Sequence, residues 1–217
     1  MRPWETIEEA RAPDGTLLEL ARRGDEWVVR AGGRVLMSSR AHGSEEALAA
    51  AAFEIVRAPR DVLVGGLGLG FTLRAALDLL PAEARVRVCE LLPELVAWNR
   101  AHVGALARQP LDDARCTVAT GDVLRSLAPG AFDALLLDVD NGPSALAHPG
   151  NARLYDDAGV RRCFEALRSG GVLALWSAGP DRRYEERLRR AGFSVEVRAA
   201  PERAGSRSAD VLFLAAR

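Results

Sequence analysis

Lysine is absent from this 217-residue sequence, and all 29 of its basic side chains are arginine. The arginines are scattered and offset by 30 acids, leaving a formal net charge of −1. That balance supplies no global field drawing the chain to nucleic acid or to a membrane surface. Cysteine is scarce: Cys89, Cys116 and Cys163 are odd in number, widely spaced and set in core-like sequence. Buried free thiols in a reducing cytoplasm explain them better than disulfides or a metal site. The three histidines, His42, His102 and His148, show no metal-ligand spacing. No apolar run approaches the roughly 20 residues of a membrane span. The opening "MRPWETIEEAR" lacks the apolar core of a signal peptide. No internal repeat, linker or low-complexity tract interrupts the chain. These absences predict a cytoplasmic protein with neither nucleic-acid nor membrane partner.

What is present is core material: 48% of residues are hydrophobic, enough for one domain with a small appendage. Residues 16–39 alternate around two glycine turns, Arg23-Gly24-Asp25 and Ala31-Gly32-Gly33, which predicts a small antiparallel meander. Ser44 is placed to cap the helix "EEALAAAAFEIVRA", which Pro59 closes. From Asp61 onward the pattern becomes strand–helix–strand. Strands are predicted at 61–65, 85–90, 115–119, 132–138, 171–177, 193–198 and 209–215, and helices at 71–80, 93–107, 155–168 and 181–191. "DALLLDV" and "GVLALWS" are near-continuous apolar runs, as parallel strands covered on both faces require. "GFSVEVRAA" and "SADVLFLAAR", joined by "PERAGSRS", read as a closing strand pair. The expected organisation is an N-terminal hairpin region with its connecting helix (1–58), then a doubly wound α/β domain (59–217).

The chemistry begins at "VLVGGLGLGF", where an apolar strand runs into alternating glycines that open a helix. Glycines admit positive φ and let the backbone approach a ligand, and the helix start points free N–H groups at the same place. A dinucleotide G-x-G-x-x-G counted from Gly66 and Gly68 requires glycine where Phe71 stands. The actual spacing, Gly66, Gly68, Gly70, is that of adenosyl-sulfonium binders.

In an open α/β sheet, ligands bind beyond the carboxyl ends of the strands, and acids stand at three of them. Glu90 ends the second strand about 20 residues past the glycine loop, where an acid binds ribose hydroxyls. Asp122 follows the third strand, placed to accept from an adenine amino group. Asp138 ends the fourth strand and is followed by Asp140 and Asn141. Each has a structural reading as well, Glu90 and Asp122 as helix caps and Asp138 as a turn former.

Taken in order, "RVLMSSRAHGSEEALA", "VLVGGLGLGFTLR", "RVRVCELLPELVAWNR", "GDVLRSL", "FDALLLDVDNGP" and "LYDDAGVRRCFEALRSGGVLALWS" resemble the spermidine synthase (polyamine aminopropyltransferase) family, from about residue 16 onward. The resemblance implies a small β-domain before a Rossmann-like methyltransferase fold whose last strand is antiparallel, and assembly as a homodimer. It also implies a donor site for S-adenosylmethionine or its decarboxylated form. Glu90 lies on ribose and Asp122 near adenine in that site, with Leu91 and Val123 flanking the nucleoside. Asp138 matches the residue that takes the proton of the attacking amine. The departures are equally specific. Leu69 replaces an aspartate that faces the amine tail of the decarboxylated donor. Asn141 replaces an aspartate that binds the cationic acceptor, and Val160 falls where the family has a substrate-contacting tyrosine. A hydrogen bond to a charged group is worth about 1.5–3 kcal/mol, so these losses weaken polyamine binding unless Asp140, Glu45 or Glu46 compensates.

The leading expectation is therefore a transferase using S-adenosylmethionine or a close analogue, moving a methyl group to a small-molecule amine or other nucleophile. Asp138 is its catalytic group, and Asp140 and Asn141 contact the acceptor. Two alternatives stand beside it: aminopropyl transfer with a rearranged acceptor pocket, and a non-catalytic nucleoside-binding dimer. A dinucleotide oxidoreductase is disfavoured by Phe71. Trp176 and Ser177 fall at a strand end on the ligand side, and the loop "NGPSALAHPGNARLY" is placed to cover the acceptor.

Overall fold

The computed structural model describes residues 2–12, 14–139, 142–143, 151–200 and 210–217. The chain opens with a four-stranded antiparallel sheet in the order β1-β2-β3-β4, formed by β1 (Glu5–Arg11), β2 (Leu17–Arg23), β3 (Glu26–Ala31) and β4 (Arg34–Ser38). The glycine turns lie where expected, with Gly24 at φ 62° and Gly32 and Gly33 at 55° and 80°. The strand β1 is an addition to the expected meander. Its charged side chains hide the alternation, and pairing with β2 supplies what the pattern lacks: Thr6 donates to Glu19 at 2.5 Å and Arg22 pairs with Glu5 at 3.3 Å.

Helix α1 (Gly43–Ile55) follows. His42 takes its cap position without a side-chain bond, so Ser44 does not cap it. Ser44 instead sits buried inside the first turn and donates to Glu45 at 2.6 Å. Leu48, Ala49 and Ala52 of α1 join the cluster containing Val62 and Val64, so this helix packs on the second sheet.

That sheet has seven strands in the order β10-β11-β9-β8-β5-β6-β7. They are β5 (Asp61–Gly65), β6 (Arg85–Glu90), β7 (Cys116–Thr120), β8 (Phe132–Leu137), β9 (Leu167–Ser177), β10 (Ser194–Ala199) and β11 (Val211–Ala216). Neighbours from β7 to β9 are parallel, while β11 runs antiparallel to both β9 and β10. Period-two alternation divides the core. Val62 and Val64 face α1 and α2 (Phe71–Leu79), whereas Leu63, Leu135 and Leu137 face α5 (Asp157–Ala166) and α6 (Arg182–Arg190). A third cluster joins Leu18, Leu20 and Val29 of the first sheet to Leu69, Phe71, Leu95 and Trp98. It docks the small sheet onto the glycine loop.

Two helices depart from expectation. The segment predicted as one helix over 93–107 is α3 (Pro93–Trp98), then a π-helical turn at Asn99–Val103 and a 3-10 turn at Gly104–Ala107. The disturbance is at Asn99, whose amide donates to the Leu95 and Gly68 carbonyls. A side chain that enters the helical ladder this way favours such a bulge. The helix predicted over 155–168 is the shorter α5, separated from a preceding turn of helix, α4 (Ala152–Tyr155), by Asp156, which accepts from Gly159 N at 2.8 Å as the α5 cap, while Leu167 already begins β9. The "PERAGSRS" connection lies outside the described residues. Cys89 and Cys163 are buried free thiols, Cys116 is half-buried and free, and burial pushes the Cys163 thiol up to about 12. No helix among the described residues is long and apolar enough to cross a membrane.

Ahead of β7, Arg115 clamps two segments together. Its Nε and Nη2 bond Asp113 at 2.9 and 2.7 Å, while Nη1 reaches the carbonyls of Leu80 and Pro81 beyond α2. The Arg115 guanidinium holds the Asp113 carboxyl down to about 2. Its contribution to stability is therefore complete above the ordinary aspartate value of about 4 and is lost as pH falls from there toward 2. Urea unfolding is expected to show Arg115→Ala less stable than the parent by about 1–2 kcal/mol at neutral pH. The gap should narrow below about pH 4.

Candidate active site

In this sheet β5 lies between β8 and β6, so the chain's winding reverses at β5. The crevice beyond that reversal is where an open α/β sheet binds ligands. Here β5 ends in the glycine loop, with Gly66, Gly68 and Gly70 at φ 86°, 52° and 90°. Each glycine meets a different neighbour. A Cβ on Gly66 would run into the backbone carbonyl of Asp138 at the exit of β8. Gly68 has Met37 of β4 above it, 3.4 Å from where a Cβ would sit. Gly70 caps α2 and packs toward Pro110 and Asn99. Of the three glycines, Gly66 and Gly68 line the cavity described next, and Gly70 is not among its lining residues.

That cavity has a volume of about 760 Å³. The N-terminal sheet and α1 form one wall, through Leu18, Met37 and Glu45 among others. The sheet ends supply the other, bringing together Glu90, Leu91, Asp122, Val123 and Asp138. Trp176, at the end of β9, also lines it, whereas Ser177 is buried and bonds the Gly179 carbonyl at 2.8 Å. Asp140 and Asn141 lie outside the described residues, as does most of the loop expected to cover the acceptor. Val160 is fully buried among the residues between β8 and α5.

The three acids are held differently. Glu90 is 5% exposed and grips the glycine loop: Oε2 accepts from Leu67 N at 2.8 Å and Oε1 from Leu92 N at 2.9 Å. Burial pushes its pKa up, and the N–H groups of Leu92, Leu67, Gly68 and Leu91 oppose that shift. Asp122 caps the 3-10 turn Val123–Ser126 through Leu124 N, and its other oxygen pairs with Arg153 of α4 at 2.9 Å. Asp138 retains some exposure to the cavity, but its carboxyl is desolvated. Burial raises its pKa, and the Thr72 hydroxyl, donating to Oδ2 at 2.7 Å, pulls it back.

Four residues of the site escape a sequence reading. Thr72 sits inside the quoted loop motif but carries no chemistry until β8 is placed beside it. Asn99 braces the Gly68 carbonyl at 2.8 Å; its only signal is a polar residue inside an apolar helical run. Tyr155 donates to the Val139 carbonyl at 2.6 Å, fixing the segment after Asp138. Arg153 shares the sequence "NARLY" with it and has no local signal of its own.

Leu69 is 4% exposed and belongs to the cluster that docks the N-terminal sheet, beside Leu18 and Leu20. Where the resemblance implies an aspartate, Leu69 thus makes an apolar contact between the first sheet and the glycine loop.

No family model matches the chain. Among curated proteins, polyamine aminopropyltransferase 2 of Pseudomonas aeruginosa is 34% identical over 123 residues, covering 54% of this chain and 33% of that protein. The match therefore spans about a third of that relative's length. Among solved structures, the spermidine synthase of Thermotoga maritima superposes with a TM-score of 0.77 at 19% identity, covering 97% of this chain and 72% of the other. A spermidine synthase in complex with the transition-state analogue AdoDATO gives 0.75 at 19% identity, with 97% and 73% covered. A probable spermidine synthase from Corynebacterium glutamicum gives 0.67 at 19% identity, with 98% and 79% covered.

The strand order, the antiparallel β11 and the glycine loop at the winding reversal define a Rossmann-like fold of the methyltransferase type. Within that class, the small N-terminal sheet and the sequence similarity together make the chain spermidine-synthase-like.

Because a Cβ at Gly66 would meet the Asp138 backbone carbonyl, which cannot swing aside as a side chain can, Gly66→Ala is expected to spread the β5 and β8 exits. It also forces an L-residue to positive φ. A loss of about 2–3 kcal/mol in thermal or urea unfolding is expected, with ligand affinity reduced further in calorimetry.

Proposed function

We propose that the chain transfers an aminopropyl group from decarboxylated S-adenosylmethionine to a small-molecule amine. The observation that carries this reading is the charge of the cavity. Among the described residues, Asp14, Glu45, Glu90, Asp122 and Asp138 line it against Arg125 and Arg153. Arg153 is paired with Asp122, and Arg125 follows β7 on the same edge of the sheet. Around Leu69, toward the N-terminal sheet, the described lining residues include Leu18 and Met37 and no cation. A carboxylate on a donor tail beside Leu69 meets no cationic partner among the described residues, and burying it unpaired is costly. A sulfonium with an ammonium tail, and a cationic amine acceptor, suit a cavity rich in carboxylates.

Methyl transfer from intact S-adenosylmethionine, the leading expectation from sequence, gains from Leu69 only the absence of an acid that would repel the donor carboxylate. The placement of Leu69 weakens that argument, since removing repulsion supplies no counter-ion for the carboxylate. The named relatives are aminopropyltransferases and spermidine synthases, which supports the alternative.

The residues present fit an adenosyl donor. Gly66 and Gly68 present backbone to the cavity, and Glu90, held by backbone N–H groups of the loop, lines it beside them. Asp122 and Val123 stand at the β7 end, and the buried Trp176 indole N–H at the cavity wall has no acceptor among the described residues. Positive sulfur makes its carbon substituent easy to displace, so the protein's task is chiefly positioning. The amine nitrogen bonds to the propyl carbon as the C–S bond breaks. Its electron pair goes to sulfur, giving a neutral thioether, and Asp138 takes the proton released from nitrogen. Assembly as a homodimer belongs to the same reading and is measured by light scattering.

The test incubates the protein with decarboxylated or intact S-adenosylmethionine and a set of diamines. Acceptor-dependent release of methylthioadenosine from the decarboxylated donor is expected. Asp138→Asn should lower kcat by about 10²–10³-fold with donor affinity nearly unchanged. Because burial raises the Asp138 pKa, turnover should climb with pH above the ordinary aspartate range as this base ionises. S-adenosylhomocysteine formed from the intact donor would instead establish methyl transfer. Donor binding without product across all amines would make the chain a non-catalytic nucleoside binder.

A further inference from the structure

Asp138 is pinned along its backbone. Its N–H donates to the Gly65 carbonyl at 2.8 Å, its own carbonyl lies against Gly66, and Tyr155 holds the next carbonyl at 2.6 Å. What remains free is rotation of the carboxylate. Thr72, the second residue of α2 and 2% exposed, donates its hydroxyl to Oδ2 at 2.7 Å across 66 residues of sequence. We propose that Thr72 is the positioning residue of this site, fixing the Asp138 carboxylate through Oδ2 so that Oδ1 is left to meet the incoming amine. The inference rests on the aminopropyl-transfer reading, in which Asp138 takes the proton.

The chemistry of the pair supports it. A buried hydroxyl needs a partner, and a hydroxyl can donate to a carboxylate but gains less from its protonated form. Thr72 therefore favours the ionised base in a setting whose desolvation favours the acid. Around Asp138 the cavity also holds Glu90 from β6, Asp122 beyond β7, Glu45 from α1, Asp14 from the β1–β2 turn, and Arg125 and Arg153. Among the described residues, Thr72 is the side chain bonded to the Asp138 carboxylate. Valine at this position keeps nearly the same volume, removes the donor and lets the carboxylate rotate.

The test compares Thr72→Val and Thr72→Ser in two measurements on the full chain. The first is the pH profile of turnover with decarboxylated S-adenosylmethionine and the best diamine. The second is a carbon-13 NMR titration of labelled aspartate without substrate, with Asp138→Asn identifying the resonance. Thr72→Val should lower kcat roughly tenfold with KM little changed. Both the acid limb of the profile and the Asp138 titration should move to higher pH. Thr72→Ser, which restores the hydroxyl, should return each toward the parent. An Asp138 titration unchanged by Thr72→Val, or valine and serine variants equally impaired, overturns the positioning role. A parent protein without turnover overturns the aminopropyl reading alone, since the titration still decides whether Thr72 holds Asp138. Should the valine variant fold poorly, Thr72→Ala replaces it in both measurements.

Discussion

The site depends on one close approach, that of the β5 and β8 exits at Gly66 and Asp138. The Asp138 N–H bonds the Gly65 carbonyl, and the Asp138 carbonyl occupies the space a side chain on Gly66 would need. Parallel pairing of the two strands brings their ends level, and the left-handed turn at Gly66 then lets the loop leave without a clash. Three side chains brace the loop and Asp138 around this contact. Glu90 takes the Leu67 N–H from the β6 side, Asn99 takes the Gly68 carbonyl from the π-helical turn, and Thr72 reaches Asp138 from α2. The loop is thus held at both of its polar faces before any ligand arrives, which lowers the ordering cost of binding.

The small N-terminal sheet completes the site. Its apolar face packs Leu18, Leu20 and Val29 against Leu69 and Phe71, closing the crevice over the glycine loop. Asp14 and Glu45 add carboxylates to the lining from that side, so the cavity is acidic although the chain as a whole is nearly neutral. In a low-dielectric cavity such local excess outweighs net charge in selecting a ligand. Leu69 therefore acts on two levels, lining the cavity with an apolar side chain and packing against the first sheet.

Much of this was legible from residues alone. The strand–glycine–helix pattern located the loop, and acids at successive strand ends located Glu90, Asp122 and Asp138 without a coordinate. Period-two alternation and apolar runs placed the seven strands of the larger sheet to within a residue or two at most ends, with β9 beginning four residues early. The failures have local causes. Strand β1 is mostly charged and exposed, so its existence depends on pairing with β2 rather than on pattern. The 93–107 helix looked continuous because nothing nearby in sequence shows that Asn99 has a partner in the glycine loop.

Sequence determined the backbone grammar: where chain must turn at positive φ, which stretches are buried on two faces, and which acids end strands. Those properties follow from single residues and near neighbours, through steric limits and periodic burial. Tertiary structure alone decided partnership. Thr72 and Asp138 lie 66 residues apart and Asn99 and Gly68 lie 31 apart, and no local rule links either pair. Their bonds exist because sheet order sets β8 beside β5 and the segment after β6 folds back over the loop. Whether an acid is a cap, a clamp or a base is settled by burial and by the donor that reaches it, and both are properties of the assembled fold.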